Sequence, residues 1–211
     1  MKQAIFFDLD GTLWDAIDQI KESWNETMIE LNEPFRFSFE MIKSTMGLTP
    51  LETLPITFPG LEEEKAMKLF KECVKGEIKF LSSKPGTIYP HEDEILEELM
   101  KDYSLYIVSN CDKGYIENYL SACAKERYFK GKLCAGDLGL EKYQNIMYLK
   151  EKEGIDEVIY VGDTLKDKVE STKANVKFIH AAYGFGVIED DQYKINSLTE
   201  LPKIAKELFS K

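Results

Sequence analysis

A short apolar run at the start of the chain leads two aspartates into a glycine turn. The run covers Ala4 to Phe7, and Asp8, Asp10 and Gly11 follow it. Because the run is short, rich in Ile and Phe and bounded by a turn residue, it predicts a buried β-strand. Side chains two positions apart on a strand point the same way. Two carboxylates placed side by side repel each other unless a cation or a proton lies between them, so the pair favours a bound partner.

The part of the chain that follows this turn has the periodicity of helices. Apolar side chains recur at steps of three and four residues over 17–31, 39–46 and 62–81, which predicts three amphipathic helices. The Ser, Lys, Pro and Gly residues of 82–86 are typical of a hinge. We therefore predict that residues 15–82 form a compact helical insertion.

Strands and helices alternate over the rest of the chain. Short apolar runs at 105–108, 133–135, 158–161 and 178–180 predict strands, and amphipathic stretches lie between them. Asp112 is predicted to cap the helix that follows the first of these strands. Strands that alternate with helices indicate an α/β fold with a parallel sheet.

Charge and composition exclude several classes of function. The 211 residues carry a net charge of −11, which disfavours nucleic acids and anionic membranes as partners because both need clustered Lys and Arg. The four cysteines form no Cys-x-x-Cys pair, which argues against a zinc site or a redox motif. No apolar run reaches membrane-spanning length, and residues 1–3 lead straight into the first strand rather than into a secretory segment. We expect a soluble cytoplasmic protein.

A second acidic turn follows the run at 158–161. Gly162 leads into Asp163 and, four positions later, into Asp167. The carboxyl ends of parallel strands meet at one edge of a sheet, where open α/β folds bind their ligands. If this strand lies beside the first one, these acids converge with Asp8 and need a divalent cation, and Mg²⁺ suits hard oxygen ligands and phosphate. The alternative is a pair of solvated, Asp-rich turns.

Three further polar residues stand where a phosphate could be bound. Ser109 and Asn110 end the strand at 105–108, and their hydroxyl and amide groups could hold phosphate oxygens. Lys142 stands at the predicted start of a helix, which the helix dipole makes a poor place for a cation and which therefore suggests an anionic partner. Taken singly, these residues also suit ordinary turns and a solvated surface.

Four motifs together resemble the signature set of the haloacid dehalogenase superfamily of phosphohydrolases. In chain order they are Asp8-Leu9-Asp10-Gly11-Thr12-Leu13, Ser109-Asn110, Lys142, and Gly162-Asp163 with Asp167. The resemblance implies a Rossmann-like, three-layer parallel sheet of strand order 5-4-1-2-3 with the strand of Asp8 at its centre. It also implies a catalytic core of residues 1–14 and 83–211 and a small helical cap of residues 15–82, as in the phosphoglycolate phosphatase and β-phosphoglucomutase branch.

The resemblance also implies a role for each motif residue. Asp8 would be the nucleophile that forms an aspartyl-phosphate, and Asp10 would protonate the leaving group and later activate water. Mg²⁺ would be held by the Asp8 carboxylate, the Asp10 carbonyl, Asp163 and Asp167. The transferred phosphoryl group would be held by Thr12, Ser109, Asn110 and Lys142. Many relatives have a proline directly after this lysine, whereas Tyr143 follows it here.

The implied function is hydrolysis of a small soluble phosphomonoester, phosphoglycolate, a sugar phosphate or a nucleotide among them. The cap would close over the site, and its loop at 46–49 would face the reacting groups. We expect a small phosphorylated metabolite as partner, and a monomer or a homodimer. Two alternatives stay open, a phosphomutase that uses the same aspartyl-phosphate and a non-catalytic binding protein on the same fold. A dehalogenase is disfavoured, because phosphoryl chemistry needs the acid at Asp10 and dehalogenation does not.

Overall fold

The computed structural model describes residues 1–210. Its strands are β1 (Gln3–Phe7), β2 (Trp14–Asp15), β3 (Thr87–Ile88), β4 (Ser104–Ser109), β5 (Phe129–Cys134), β6 (Glu157–Gly162), β7 (Lys177–Ala181) and β8 (Lys194–Ile195). Its helices are α1 (Ile17–Glu30), α2 (Phe39–Thr45), α3 (Pro50–Thr57), α4 (Glu63–Leu81), α5 (Glu92–Leu99), α6 (Tyr115–Ala122), α7 (Ala135–Leu138), α8 (Lys142–Lys152), α9 (Leu165–Lys173) and α10 (Leu201–Phe209). Among residues 1–210, no helix has both the length and the apolar character that crossing a bilayer requires.

Six parallel strands form the main sheet in the order β5-β4-β1-β6-β7-β8. The predicted order 5-4-1-2-3 is confirmed, with β1 at the centre and the short β8 added beyond the fifth core strand. Phe7, the last residue of β1, is in register with Ile107 on one side and with Val161 on the other. The loops that follow β1, β4 and β6 therefore leave the sheet at the same edge.

Both faces of the central strand are buried. Ile5 and Phe7 pack into the larger apolar cluster, which includes side chains of α5 and α6, whereas Ala4 and Phe6 pack into a second cluster with side chains of α8. A strand that is apolar on both faces is typical of a parallel sheet between two helical layers. The predicted three-layer α/β architecture is confirmed.

Four helices, α1 to α4, lie between the first two core strands and pack on one another. Gly76 of α4 lies against Thr27 of α1, since a Cβ at Gly76 would be 2.4 Å from the Thr27 hydroxyl oxygen. α3 was not predicted, because Pro50 and Pro55 interrupt its apolar pattern; Pro50 stands at its first turn, where proline is tolerated. The division of the chain into a core of residues 1–14 and 83–211 and a cap of residues 15–82 stays a prediction.

The two chain segments that lead into and out of these four helices lie side by side. β2 and β3 form an antiparallel ribbon in which Trp14 pairs with Ile88 and Asp15 with Thr87. The side chain of Asp15 accepts a hydrogen bond from the backbone N–H of Ile17 at the start of α1. The ribbon therefore joins the helical part to the sheet through two adjacent short strands.

The prediction that Asp112 caps a helix is wrong. α6 begins at Tyr115, and Gly114 precedes it with a φ of +97°, so the chain makes a turn between Asp112 and the helix. Ser197 likewise caps a 3₁₀ turn over Leu198–Glu200 rather than a regular helix, and α10 begins after it. Both differences arise because a short turn intervenes between the capping residue and the regular helix.

A buried ion pair behind the sheet gives a prediction for stability. Lys125 is 1% exposed, and its Nζ lies 3.0 Å from Glu92 Oε1 and 2.8 Å from Asp93 Oδ1. Lys125→Met leaves the buried Glu92 carboxylate without its cation, so we expect the free energy of unfolding to fall by about 3–5 kcal/mol in urea denaturation. Lys101→Met, at an exposed lysine, is the control. Equal stability of the two variants would contradict the prediction.

Candidate active site

Asp8 stands at the carboxyl end of the central strand and is 2% exposed. Its backbone N–H donates to the carbonyl of Val161 at 2.8 Å, which continues the pairing of β1 with β6 by one residue. Its Oδ1 lies 3.1 Å from Lys142 Nζ, and the nearby Ser109 hydroxyl favours the charged form of the carboxyl and so lowers its pKa. Burial and the neighbouring Asp167 raise the pKa of Asp8 to about 6, against the opposing effect of Lys142.

Lys142 is the first residue of α8 and is 1% exposed. Its Nζ lies 2.6 Å from Asp167 Oδ1 in addition to its contact with Asp8. Burial alone would lower the pKa of this lysine, but the charges of Asp167 and Asp8 raise it, so the ammonium stays charged at neutral pH. Tyr143 in the place of the usual proline therefore does not keep the lysine from the aspartates.

Three carboxylates meet beside this lysine. Asp8, Asp163 and Asp167 each offer an oxygen within 4.8 Å of the others, and all three are buried. Asp163 Oδ2 accepts a hydrogen bond from the backbone N–H of Phe185 at 2.7 Å, whereas its Oδ1 is buried without a hydrogen-bond partner among residues 1–210. Burial and the other two acids raise the pKa of Asp163 well above its ordinary value.

The oxygens of Asp167 are engaged by neighbouring donors. Oδ1 accepts from Lys142, and Oδ2 accepts from the backbone N–H of Thr164 at 3.0 Å and from its hydroxyl at 2.6 Å. Burial raises the pKa of Asp167, but the lysine and Thr164 outweigh it and hold the pKa below its ordinary value. Asp167 thus caps α9 and orients Lys142.

The residues fit a hard divalent cation. Three buried carboxylates face one lysine, so the cluster carries an uncompensated negative charge. The unpartnered Asp163 Oδ1 and the nearby Asp8 offer the oxygen ligands that Mg²⁺ prefers. The oxygens of Asp167 already accept hydrogen bonds, so this residue fits a position near the ion without direct coordination.

The carboxylate of Asp10 lies apart from these three and faces the helical part of the chain. Its Oδ1 accepts hydrogen bonds from Tyr115 Oη at 2.7 Å and from Trp14 Nε1 at 3.0 Å. Burial raises the pKa of Asp10 to about 7, although the hydrogen bonds from Tyr115 and Trp14 oppose this shift. The group can therefore both hold and release a proton near neutral pH, as a general acid and base must.

Gly11 allows the first acidic turn to approach the second. Its φ is +76°, and a Cβ at this position would lie 2.2 Å from Asp163 Oδ2. Only glycine combines this backbone conformation with so close a contact. Thr12 follows it, fully buried, with a hydroxyl that has no hydrogen-bond partner among residues 1–210 and a carbonyl that accepts from Tyr183 Oη. The Thr12 side chain does not line the cavity described below.

Asn110 connects the sheet to the loop after α2. Its Nδ2 donates to the carbonyl of Gly47 at 2.8 Å, and its buried Oδ1 has no hydrogen-bond partner among the described residues. Met46, Gly47 and Leu48 line the same cavity as Asp8, as expected of a loop that faces the reacting groups. Ser109, one residue earlier, ends β4 beside Asp8.

A cavity of about 90 Å³ separates this edge of the sheet from α1, α2 and α4. Asp8, Asp10 and Ser109 line it on the sheet side. On the helical side its walls include three side chains that the sequence analysis did not identify as functional: Trp24, Phe70 and Glu77. In the sequence, Trp24 and Phe70 are indistinguishable from the other members of an apolar helical stripe. The one available signal was Glu77, a charged residue at the spacing of the buried positions of α4.

Comparison with known families agrees with this geometry. The model of the family described as "haloacid dehalogenase-like hydrolase" matches residues 5–181, which is most of the chain. The chain belongs to the haloacid dehalogenase-like hydrolases. The family predicted from the motifs is confirmed, and with it the prediction of an enzyme of the hydrolase class.

Curated relatives of this hydrolase match over most of their length. The pyrophosphatase PpaX of Oceanobacillus iheyensis is 29% identical over 90% of this chain and 87% of its own. A phosphoglycolate phosphatase of Haemophilus influenzae is 24% identical over 87% of each chain. Among solved structures, a haloacid dehalogenase-like hydrolase from Streptococcus pneumoniae superimposes with a TM-score of 0.83 at 21% identity, over 97% of this chain and 98% of that one. This likeness shows a shared fold.

Proposed function

We propose that this hydrolase is a Mg²⁺-dependent phosphatase that cleaves small soluble phosphomonoesters through an aspartyl-phosphate on Asp8. The chain is a phosphatase-type member of its family, and the relatives above carry phosphatase names. One observation supports the proposed metal ion and the aspartyl-phosphate: a buried carboxylate at the end of the central strand lies 3.1 Å from a buried lysine and within 4.8 Å of two further acids. Such a cluster suits a site in which a phosphate dianion meets a carboxylate.

The Asp8 carboxylate and a phosphate dianion repel each other, so positive groups must be present before they can react. Two unit charges of like sign about 4 Å apart repel by about 4 kcal/mol at an effective dielectric constant of about 20. Asp8, Asp163, the Asp10 carbonyl and, less directly, Asp167 would hold the metal ion. When bound, Mg²⁺ supplies positive charge that offsets this repulsion. Lys142, whose Nζ lies 3.1 Å from Asp8 Oδ1, supplies a second positive charge.

The proposed reaction has two half-reactions, and Asp8 and Asp10 act in both. An Asp8 oxygen forms a bond to phosphorus as the bond to the leaving oxygen breaks, and Asp10 gives its proton to that oxygen. In the second half-reaction Asp10 takes a proton from water, whose oxygen attacks the aspartyl-phosphate and releases inorganic phosphate from Asp8. Ser109, Asn110, Lys142 and Thr12 are proposed to hold the phosphoryl oxygens. The cytoplasmic location and the monomeric or dimeric state stay predictions.

Metal removal tests this proposal. We expect phosphate release from a panel of phosphorylated metabolites to stop in EDTA and to return when Mg²⁺ is restored. We also expect Mg²⁺ to raise the melting temperature, because saturation at about 100 times Kd adds about 2.7 kcal/mol to a folded state that alone binds the ion. Asp163→Asn is expected to lose that thermal shift, whereas Asp102→Asn, at an exposed aspartate, keeps it. Phosphate release that is indifferent to chelation would contradict the metal requirement.

A further inference from the structure

The acidic and basic residues of the cavity wall are of one kind only. Four carboxylates line it, those of Asp8, Asp10, Glu77 and Asp112, and none of its lining residues is a lysine, an arginine or a histidine. Asp8 and Asp10 belong to the phosphoryl chemistry proposed above. Glu77 and Asp112 do not, although they line the same cavity.

Glu77 is a buried carboxylate without a cation. It is 6% exposed, and its Oε2 accepts a hydrogen bond from Trp24 Nε1 at 2.5 Å. Its Oε1 accepts no hydrogen bond from residues 1–210, and the residue lines the cavity. Burial raises the pKa of Glu77 to about 8, and the charges of Asp10 and Asp112 add to this effect. A buried acid in such surroundings is stabilised by a cationic partner.

Aromatic rings stand beside this carboxylate. Trp24 and Phe70 meet at 90° with their ring centroids 5.6 Å apart, and both line the cavity, as does Tyr115. Aromatic faces attract ammonium groups, and the attraction increases when the site is desolvated. One buried acid and three rings therefore offer an ammonium group both a counter-charge and apolar contacts.

A carboxylate-bearing leaving group suits this wall poorly. It would face Glu77 and Asp112 without a basic side chain among the lining residues to receive it. Burial raises the pKa of Asp112 against the opposing charge of Lys71, and this lysine is exposed and does not line the cavity. A neutral leaving group would avoid the repulsion but would leave Glu77 without a cationic partner.

We propose that this hydrolase prefers phosphomonoesters whose leaving group carries an ammonium, which binds to Glu77 beside the rings of Trp24 and Phe70. This proposal rests on the phosphatase function proposed above and names its substrate class. The cavity volume is about 90 Å³, so esters of short alcohols are used to test the proposal.

Three esters of nearly equal size test the charge of the leaving group. Phosphoethanolamine carries an ammonium, n-propyl phosphate is its neutral isostere, and phosphoglycolate carries a carboxylate. With Mg²⁺ present, we expect kcat/KM for phosphoethanolamine to exceed that for propyl phosphate by about tenfold and that for phosphoglycolate by about a hundredfold. A ratio near one between the first two, or a preference for phosphoglycolate, would overturn the proposal.

The Glu77→Gln variant tests whether Glu77 causes the preference for a leaving group that carries an ammonium. Glutamine keeps the size and a hydrogen-bond acceptor for Trp24 but removes the charge, so we expect the ratio of kcat/KM for phosphoethanolamine to that for propyl phosphate to fall to about two. Glu64→Gln, at an exposed position of the same helix, is the control and keeps the wild-type ratio. An unchanged ratio in a folded Glu77→Gln protein would overturn the assignment of Glu77.

The esters also separate this proposal from the proposed function. If the wild-type protein with Mg²⁺ hydrolyses none of the three esters and no member of the metabolite panel, the phosphatase function fails. If it hydrolyses them without regard to the charge of the leaving group, the phosphatase function stands and only the substrate class is wrong. The wild-type ratios decide the substrate class even if the Glu77→Gln protein does not fold.

Discussion

Asp8→Asn is expected to lower phosphate release by at least about 10⁴-fold while leaving the fold intact. The amide is a poor nucleophile toward phosphorus, and no second carboxylate occupies the same position at the end of β1. Stability should not fall, because burial and repulsion from Asp167 already disfavour the charge of Asp8. Steady-state phosphate release and thermal melting measure the two effects, with Asp102→Asn as the control.

A phosphoenzyme experiment separates a nucleophile from a residue that only binds the metal. Asp10→Asn removes the base that activates water, so with an aryl phosphate, whose leaving group needs no proton from Asp10, we expect an acid-quenched sample to gain the mass of one phosphoryl group on the peptide that contains Asp8. The double variant with Asp8→Asn should gain none. Turnover of Asp8→Asn within about tenfold of the wild type would exclude Asp8 as the nucleophile.

Lys142→Met is expected to have the second largest effect, a loss of about 10²–10³-fold in kcat/KM. The lysine lies between Asp8 and Asp167, at 3.1 Å and 2.6 Å, so it both neutralises the nucleophile and is placed to hold a phosphoryl oxygen. Its removal also leaves three buried carboxylates without their ammonium, so we expect a lower melting temperature that added Mg²⁺ partly restores.

A lysine on the same helix serves as the control for this variant. Lys152 is exposed at the last turn of α8, and Lys152→Met should change neither kcat/KM nor the response of the melting temperature to Mg²⁺. Equal activity of Lys142→Met and Lys152→Met would contradict the placement of Lys142 in the site. A selective loss in the first variant supports it even though Tyr143 replaces the proline common in relatives.

The site residues at the ends of strands could be predicted because a short stretch of sequence is enough to identify both the strand and the acids that follow it. Two apolar runs, each ending in glycine and aspartate, predict strand ends, and a parallel sheet brings strand ends to one edge. The structure places Asp8 and Asp163 together for this reason, and it requires glycine at position 11 where the two turns meet. The strand order followed from the family resemblance, not from the pattern of residues.

The helical side of the cavity could not be predicted in the same way. Trp24 and Phe70 lie on apolar stripes, and periodicity shows only that a stripe is buried, not that it borders a cavity. Glu77 becomes distinctive only when packing encloses it beside Trp24. α3 was missed because two prolines conceal its pattern, and Asp112 was misplaced because a turn through Gly114 precedes the helix. These features depend on contacts between distant segments.

The hydrogen bond from Asn110 to Gly47 joins the sheet to the helical side of the cavity. One neutral hydrogen bond of this kind contributes about 0.5–1.5 kcal/mol, which thermal motion breaks often. The helical part is also held to the rest of the chain by Asn118, which donates to the carbonyl of Ile78, and by the ion pair of Lys166 with Glu52, so opening of the cavity would break several weak contacts together. Asn110, which is proposed to hold a phosphoryl oxygen, is thus one of the groups that also keep the cavity closed.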